Sequence, residues 1–245
     1  MQQICSCKKK PYPDPRDYMY SDLMKHLPAR FTRPVHYSLR GGFPPVYDQG
    51  QHGTCTSCAA LGCDHFYFHK GKEKWMPSIL FTYYNQKKPD DLKDDDGDNV
   101  ENALKKVRKY GACKERIWPY TEPWNKKPSQ EAYEDGLKGH EITSFYAIKN
   151  LIELRSAISQ GYPCPGSVNW KFDSIDENNI LHLPEKVDKK WSGHAIIFVG
   201  YDDEKKLLEI RNSWSDKWGD NGYGYIRYED ARKLIDFDDT YAVRG

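Results

Sequence analysis

Three stretches of the chain carry apolar residues at the intervals of an α-helix. After Thr54, a residue type that caps helix N-termini, apolar and small side chains follow at spacings of three and four up to Phe66. This pattern predicts a helix that ends at the glycine-containing segment Lys70–Lys72. The same periodicity predicts helices over Val100–Lys109 and Lys149–Ser159, each followed within two residues by a glycine.

Beyond Gly161 the pattern changes to that of β-strands. Residues Ala195–Val199 are apolar without interruption, which predicts a strand buried on both faces. Leu207–Arg211 and Tyr223–Arg227 mix apolar and polar positions, and each predicts a partly buried strand. With helices dominating the first half and strands the second, the chain is predicted to be an α+β protein.

The first 33 residues differ from the rest of the chain. They are rich in proline and charge, and the prolines at 11, 13 and 15 favour extended backbone. Only a short turn of helix is expected, at Ser21–Lys25. We therefore expect an N-terminal extension over residues 1–33 and a folded domain over residues 34–245. The total of 245 residues suffices for one large domain, or for two small ones that share a core.

Charge and hydropathy exclude several classes of partner. Lysine and arginine number 37 against 36 aspartates and glutamates, a formal net charge of +1, so no long-range field favours nucleic acid or an anionic membrane. The longest apolar run, Ala195–Val199, is far shorter than the roughly 20 residues that span a bilayer. Because the chain begins with Met1 and lacks a signal peptide, we expect a cytoplasmic or otherwise intracellular monomer whose cysteines are thiols.

Polar residues follow one another in the order that a cysteine hydrolase requires. Cys55 opens the first predicted helix, where the positive end of the helix dipole favours a thiolate. His194 and Asn212 follow about 140 and 160 residues later, close to the spacing of one class of cysteine protease. Cys55 is the candidate nucleophile, His194 its base and acid, and Asn212 the group that orients the imidazole. Gln49 is the candidate donor to an oxyanion, and Trp214 is expected to cover the contact between imidazole and amide.

With these residues the chain resembles the papain-like cysteine peptidases from about Pro34 to Tyr228. Two further motifs carry the resemblance: Ile117–Tyr120 is similar to the family's Tyr-Pro-Tyr, and Trp218–Gly224 to its Trp-Gly-x-x-Gly-Tyr. The resemblance implies a two-lobed fold with a helical lobe, an antiparallel β-barrel lobe and the active site in the cleft between them. The likeness is strongest to compact, cathepsin-B-like members of bacteria and large DNA viruses, which makes a viral origin one expectation.

The resemblance also implies what the site binds. The substrates would be polypeptides cleaved by an endopeptidase, without a metal ion or a cofactor. Gly97 is expected to pair with substrate backbone, and Val168 and Ala195 to line an apolar specificity pocket. The floor of that pocket is expected around Ile235–Asp239, whose acidity hints at basic substrate side chains. The acidic turn Asp94–Asn99 lacks the oxygen ligands of a calcium loop and is expected to be solvated.

Next to Cys55, the sequence departs from the family's pattern at two residues. His52 stands where these enzymes have a cysteine, and this removes one half of their usual disulfide beside the active site. Thr56 replaces an aromatic residue that packs behind the nucleophile, so the wall there must be built differently. Neither change touches the reacting atoms.

Other interpretations of the same residues stay open. Cys55 and Cys58 form a C-x-x-C pair, so a thiol–disulfide oxidoreductase is one alternative, although no strand–helix–strand pattern surrounds the pair. Each site residue also has a purely structural interpretation: a buried thiol, a histidine that opens a buried strand, a turn-forming asparagine, a core tryptophan and a loop glutamine. A further alternative is a catalytically inactive protein that binds peptides on a peptidase fold.

The N-terminal extension has its own candidate role. It is extended, rich in proline and without a core of its own, directly before the folded domain. We hypothesise that residues 1–33 form a reduced inhibitory segment that crosses or borders the cleft until it is moved or cut. The alternative is an arm that packs along the back of the domain as structural support.

Overall fold

The structure is a computed structural model of the chain. It describes residues 18–25, 32–68, 75–88, 92–138, 142–186, 190 and 192–245. The predicted helix end at 70–72 lies outside these ranges, as do the proline-rich residues 11–15 and the cysteines at 5 and 7.

The described part of the chain contains seven α-helices. They are α1 (Tyr20–Met24), α2 (Cys55–Phe68), α3 (Ile79–Gln86), α4 (Val100–Tyr110), α5 (Gln130–Gly136), α6 (Leu151–Ser159) and α7 (Tyr228–Leu234). Four begin at a side chain that accepts a backbone N–H three residues later: Ser78, Asn99, Ser129 and Asn150. The predictions of α2, α4 and α6 are confirmed to within two residues at the described ends. None of these helices is long and apolar enough to cross a membrane.

The described strands are nine in number. They are β1 (His36–Ser38), β2 (Ser144–Ala147), β3 (Cys164–Asn169), β4 (Ser174–Ile175), β5 (Leu181–His182), β6 (Gly193–Asp202), β7 (Leu207–Arg211), β8 (Tyr223–Arg227) and β9 (Ile235–Arg244). Seven form one antiparallel sheet in the order β2-β9-β3-β6-β7-β8, with β1 also paired to β6, while β4 and β5 pair separately. The three predicted strands lie within β6, β7 and β8, and the α+β class is confirmed.

The sheet is not the closed barrel that the resemblance implies. Among the described strands, β2 and β8 end the hydrogen-bonded path and do not pair with each other. Each outer edge is covered by a short segment instead. The Ala147 N–H of β2 donates to the Tyr18 carbonyl at 2.8 Å, and the Tyr225 N–H of β8 donates to the Asn179 carbonyl at 2.8 Å. These contacts satisfy backbone groups at the two outer edges, which an open sheet would otherwise leave exposed.

Helix α2 lies at the junction between the helices and the sheet. Every residue from Cys55 to Phe66 is buried, because α3 and α4 pack against this helix and so do β3 and β6. Gly62 permits the close approach to the sheet, since a Cβ atom there would lie 2.6 Å from Ile197 Cδ1 on β6. The junction therefore holds α2 close to β6.

The described part of the N-terminal extension packs against α6 and the sheet. Tyr20 on α1 is fully buried, and its hydroxyl donates to Ser156 Oγ on α6 at 3.2 Å. Farther along, Arg33 forms a 2.7 Å ion pair with Asp203, the residue after β6. These contacts are of the kind expected of a structural support, and the inhibitory role hypothesised for residues 1–33 stays a prediction.

Candidate functional site

The first turn of α2 places Cys55, and a distant tyrosine holds the backbone before it. The Tyr120 hydroxyl contacts Thr54 Oγ1 at 2.9 Å and donates to the Gln49 carbonyl at 2.7 Å. The Thr54 carbonyl accepts the Cys58 N–H at 2.9 Å, which begins the helical ladder. Cys55 is fully buried. A thiol here lies at the positive end of the helix dipole, which favours its ionised form.

Strands β6 and β7 bring His194 and Asn212 together. The strands are antiparallel with Ile197 opposite Arg211, so the residue after β7 returns toward the start of β6. His194 Nε2 lies 2.8 Å from Asn212 Oδ1. The same oxygen accepts the Ser213 backbone N–H at 2.8 Å, which sets the orientation of the amide. His194 Nε2 must therefore carry the hydrogen, and Nδ1 is left as the basic nitrogen.

Two tryptophans pack on the imidazole, and a third packs on both of them. Trp214 stacks on His194 with the ring centroids 4.7 Å apart, and Trp170 meets the same ring edge-on at 5.1 Å. Trp218 contacts both tryptophans, at 5.8 and 6.2 Å. His194 is only 3% exposed, so the hydrogen bond to Asn212 is shielded from water and strengthened by the low local dielectric. Trp214 stacks on the imidazole, and its predicted cover of the contact with the amide stays a prediction; Trp170 was missed because its neighbours in sequence carry no catalytic motif.

Gln49 is joined to the residue that follows Asn212. Its backbone N–H donates to the Ser213 carbonyl at 2.9 Å, and its Oε1 accepts from the Ser213 hydroxyl at 2.6 Å. With Oε1 on the Ser213 side, Nε2 points the other way and donates one hydrogen to the His52 carbonyl at 3.0 Å. The amide nitrogen has a second hydrogen, which is the group that an oxyanion requires. Ser213 thus orients both Gln49 and Asn212, a role that the sequence did not indicate.

The two candidate pocket residues lie beside the imidazole. Val168 on β3 is opposite His194 on β6, and Ala195 is the next residue of β6. Both side chains are buried and apolar. Both residues therefore lie beside His194, as expected if they line a specificity pocket. The pocket role itself stays a prediction.

Gly97, the third substrate-binding candidate, belongs to a turn that the protein itself binds. Its N–H donates to the Tyr83 hydroxyl at 3.1 Å, and its carbonyl accepts from Lys87 Nζ at 2.7 Å. That ammonium also contacts Asp96 Oδ1 at 2.5 Å, and its side chain is 1% exposed. The expectation of a solvated turn over Asp94–Asn99 holds for the exposed Asp94 and Asp96, whereas Gly97–Asn99 are buried and the turn also neutralises a buried cation. Pairing of Gly97 with substrate stays a prediction. A substrate would have to share the Gly97 N–H and carbonyl with Tyr83 and Lys87, which already bind them.

Of the three aspartates in Ile235–Asp239, Asp239 is not available to a basic substrate, and a preference for basic side chains stays a prediction that only Asp236 and Asp238 could support. Asp239 is fully buried, and its carboxylate accepts the backbone N–H groups of Val100 and Glu101 at 3.0 and 3.2 Å. It also accepts the hydroxyl of Ser167 on β3. The charge is thus used within the protein, at the N-terminus of α4, rather than presented to a substrate.

Among the described cysteines, Cys55 alone begins a helix next to an imidazole-bearing strand. None of the five forms a disulfide. Burial raises the pKa of the Cys58, Cys63 and Cys164 thiols well above the usual range, and that of Cys113 to about 12. These four thiols are therefore protonated and unreactive at neutral pH. Within the described ranges, no group of three or more His, Cys, Asp or Glu side chains is placed to hold a metal ion.

Comparison with known families and sequences yields two matches. The family model for papain family cysteine proteases matches residues 36–239. An "uncharacterized peptidase C1-like protein" of Acanthamoeba polyphaga mimivirus is 31% identical over 172 residues, which make up 64% of this chain and 55% of the viral protein. The chain thus spans about half the length of that relative.

Solved structures show the same architecture. Xylellain, a cysteine protease from Xylella fastidiosa, superposes with a TM-score of 0.82 at 28% identity, over 100% of this chain and 97% of that one. A digestive procathepsin proteinase of the Tenebrio molitor larval midgut superposes with a TM-score of 0.72 at 19% identity, over 98% and 78% of the two chains. The second likeness is one of fold alone.

Proposed function

The chain belongs to the papain family of cysteine proteases, and we propose that it cleaves internal peptide bonds through a Cys55 thiolate and a His194 imidazolium. The observation that carries the proposal is the 2.8 Å contact between His194 Nε2 and Asn212 Oδ1. With Oδ1 also bound to the Ser213 N–H, this contact selects the tautomer in which Nδ1 is the base.

In the proposed acylation step, His194 Nδ1 takes the proton of Cys55 and the thiolate attacks the substrate carbonyl carbon. A C–S bond forms while the carbonyl π electrons move to oxygen. We assign the Cys55 backbone N–H and the Gln49 Nε2–H as donors to this oxyanion. As the intermediate collapses, the C–N bond breaks and the imidazolium gives its proton to the leaving amine. The product at this stage is a thioester with Cys55.

In the proposed deacylation step, water replaces the amine. His194 Nδ1 removes a proton from the water as its oxygen attacks the thioester carbon. The second oxyanion uses the same two donors, and its collapse expels the Cys55 thiolate and releases a carboxylic acid. These steps use only protein groups and water. The apolar Val168 and Ala195 favour a substrate with an apolar side chain near the scissile bond, while a monomeric state and a location inside cells stay predictions.

The redox alternative receives no support from the surroundings of α2. A catalytic C-x-x-C normally follows a strand of a βαβ unit. Residues 43–54, all of which the structure describes, contain no strand before Cys55. The same alternative assigns no task to the contact between His194 and Asn212. The inactive, peptide-binding alternative is decided by the experiment below.

An irreversible inhibitor tests the proposal. The reduced protein is incubated with an epoxysuccinyl peptide, and the adduct is located by mass spectrometry. We expect one adduct, on Cys55, which Cys55→Ala lacks and which the matched control Cys113→Ala retains. Cys55 is fully buried, and the hypothesised inhibitory segment could block the inhibitor. A shortened chain that lacks residues 1–17 but keeps the buried Tyr20 is therefore treated in parallel. Absence of an adduct on both chains would identify an inactive member of the family.

Gln49 provides a second prediction. We expect Gln49→Ala to lower kcat for a peptide amide by about 10²-fold, because one donor to the oxyanion is lost. Gln51→Ala is the control, since Gln51 is an exposed amide in the same loop and is expected to keep its kcat. A Gln49 variant with an unchanged kcat would remove this residue from the proposed oxyanion site.

A further inference from the structure

The loop between Gln49 and Cys55 joins the two proposed oxyanion donors. Such donors work only at hydrogen-bond distance from the developing charge, so the loop has to keep its position. Residues 50–54 form neither helix nor strand, and Gly50 adopts a positive φ of 54°. Regular backbone hydrogen bonding therefore does not hold this loop, and contacts from elsewhere have to do so.

Asp95 makes two such contacts from the acidic turn. Its Oδ1 accepts the Gly53 N–H at 2.9 Å, and its Oδ2 lies 2.9 Å from His52 Nδ1. Because the contacts use both carboxylate oxygens, they set the orientation of the loop as well as its distance from the turn. A Cβ atom on Gly53 would lie 2.8 Å from Asp95 Oδ1 and 2.9 Å from the Gly97 nitrogen. The loop backbone thus lies directly on the turn.

Helix α3 holds Asp95 in turn. The Tyr83 hydroxyl donates to Asp95 Oδ1 at 2.6 Å and accepts the Gly97 N–H at 3.1 Å. Lys87, directly after the same helix, binds Asp96 and the Gly97 carbonyl. Hydrogen bonds to charged groups are shorter and stronger than those between neutral groups. A helix therefore positions the turn, and the turn positions the loop before the nucleophile.

We propose that Asp95 is a positioning residue that, together with His52, holds the loop of residues 50–54 in its oxyanion-binding position. This proposal rests on the proposed function. In the family that the chain resembles, residue 52 is a cysteine that forms a disulfide. Here an imidazole and a carboxylate make the connection without a covalent bond. The position of the loop is therefore independent of the redox state of the solution.

Two reactions of the same thiolate separate this role from general structural support. Peptide hydrolysis passes through an oxyanion that needs the loop. Alkylation by iodoacetamide forms a bond between Cys55 Sγ and a methylene carbon while iodide leaves, and no oxyanion appears. Displacement of the loop is expected to slow the first reaction and to spare the second.

The test compares two variants of the full chain. Asp95→Asn keeps the shape of the side chain but puts a donor where two acceptor oxygens are needed. Asp94→Asn is the matched control, because it removes the same charge from an exposed position of the same turn. We expect Asp95→Asn to lower kcat by about 10–100-fold, with KM and the alkylation rate within about threefold of wild type. The control is expected to change none of them, and His52→Asn, which keeps a donor, to retain more kcat than His52→Ala.

Two results would overturn the proposal. An unchanged kcat in Asp95→Asn would mean that the residue has no role, and equal losses of kcat and alkylation rate with a lowered Tm would mean structural support only. If the wild-type protein hydrolyses no peptide, the proposed function is wrong. The positioning role of Asp95 is then tested by hydrogen exchange instead. Exchange in residues 50–55 is then expected to rise about tenfold in Asp95→Asn but not in Asp94→Asn. Unchanged exchange would overturn the positioning role.

Discussion

Replacing His194 with alanine is expected to lower kcat/KM for a peptide amide by about 10⁵-fold. The imidazole has three tasks in the proposed reaction: it takes the thiol proton, stabilises the thiolate as an imidazolium, and protonates the leaving amine. The neighbouring Asn212 and Gln49 side chains are amides, which are neither protonated nor deprotonated at neutral pH and so cannot act as acid or base. A water molecule in the space left by the ring would serve as a much weaker base. Loss of the ring therefore removes all three tasks at once.

The measurement is a steady-state assay of His194→Ala beside a Tm determination. His36→Ala is the control, because His36 lies exposed on β1 and far along β6 from His194, opposite Asp202. We expect the control to keep its kcat/KM. Should the His194 variant lose less than about tenfold, another group must act as the base, and the assignment made from the contact with Asn212 would be wrong.

The candidate catalytic residues could be proposed from the sequence, whereas the groups that hold them could not. Cys55, His194 and Asn212 each stand in a short motif, and the chemistry of a cysteine hydrolase requires these residue types in this order. Ser213 and Asp95 act through hydrogen bonds to backbone and side chains distant in sequence. Contacts of this kind form only in the folded protein, so no local pattern in the sequence predicts them.

The predicted elements of the fold divide in the same way. Helix α4 has one apolar face and strands β7 and β8 are short segments of mixed apolar and polar residues bounded by turns, so each could be predicted from its pattern. Helix α3 was missed because it is buried on nearly all sides, which leaves no polar face to mark its period. The open sheet was missed as well, because closure depends on which segments cover the strand edges.

Strand β9 was missed because three aspartates interrupt it, and the buried one has a large expected effect on stability. Asp239→Ala is expected to lower the free energy of unfolding by about 4 kcal/mol. The substitution leaves three buried donors without their acceptor: the backbone N–H groups of Val100 and Glu101, and the hydroxyl of Ser167. An unmade hydrogen bond to a buried group costs about 1–3 kcal/mol, and more when the lost partner is charged.

Urea denaturation of three variants separates this effect from a general loss of charge. Asp238→Ala is the control, because the Asp238 side chain is 82% exposed and its ion pair with Lys149 lies at the surface; we expect a change within about 0.5 kcal/mol. Asp239→Asn keeps one acceptor oxygen and is expected to lose about half as much as Asp239→Ala. Equal stability of the Asp238 and Asp239 alanine variants would contradict this account. Because Asp239 joins β9 to the N-terminus of α4 and to β3, the same carboxylate that interrupts the apolar pattern of its strand connects the helices to the sheet.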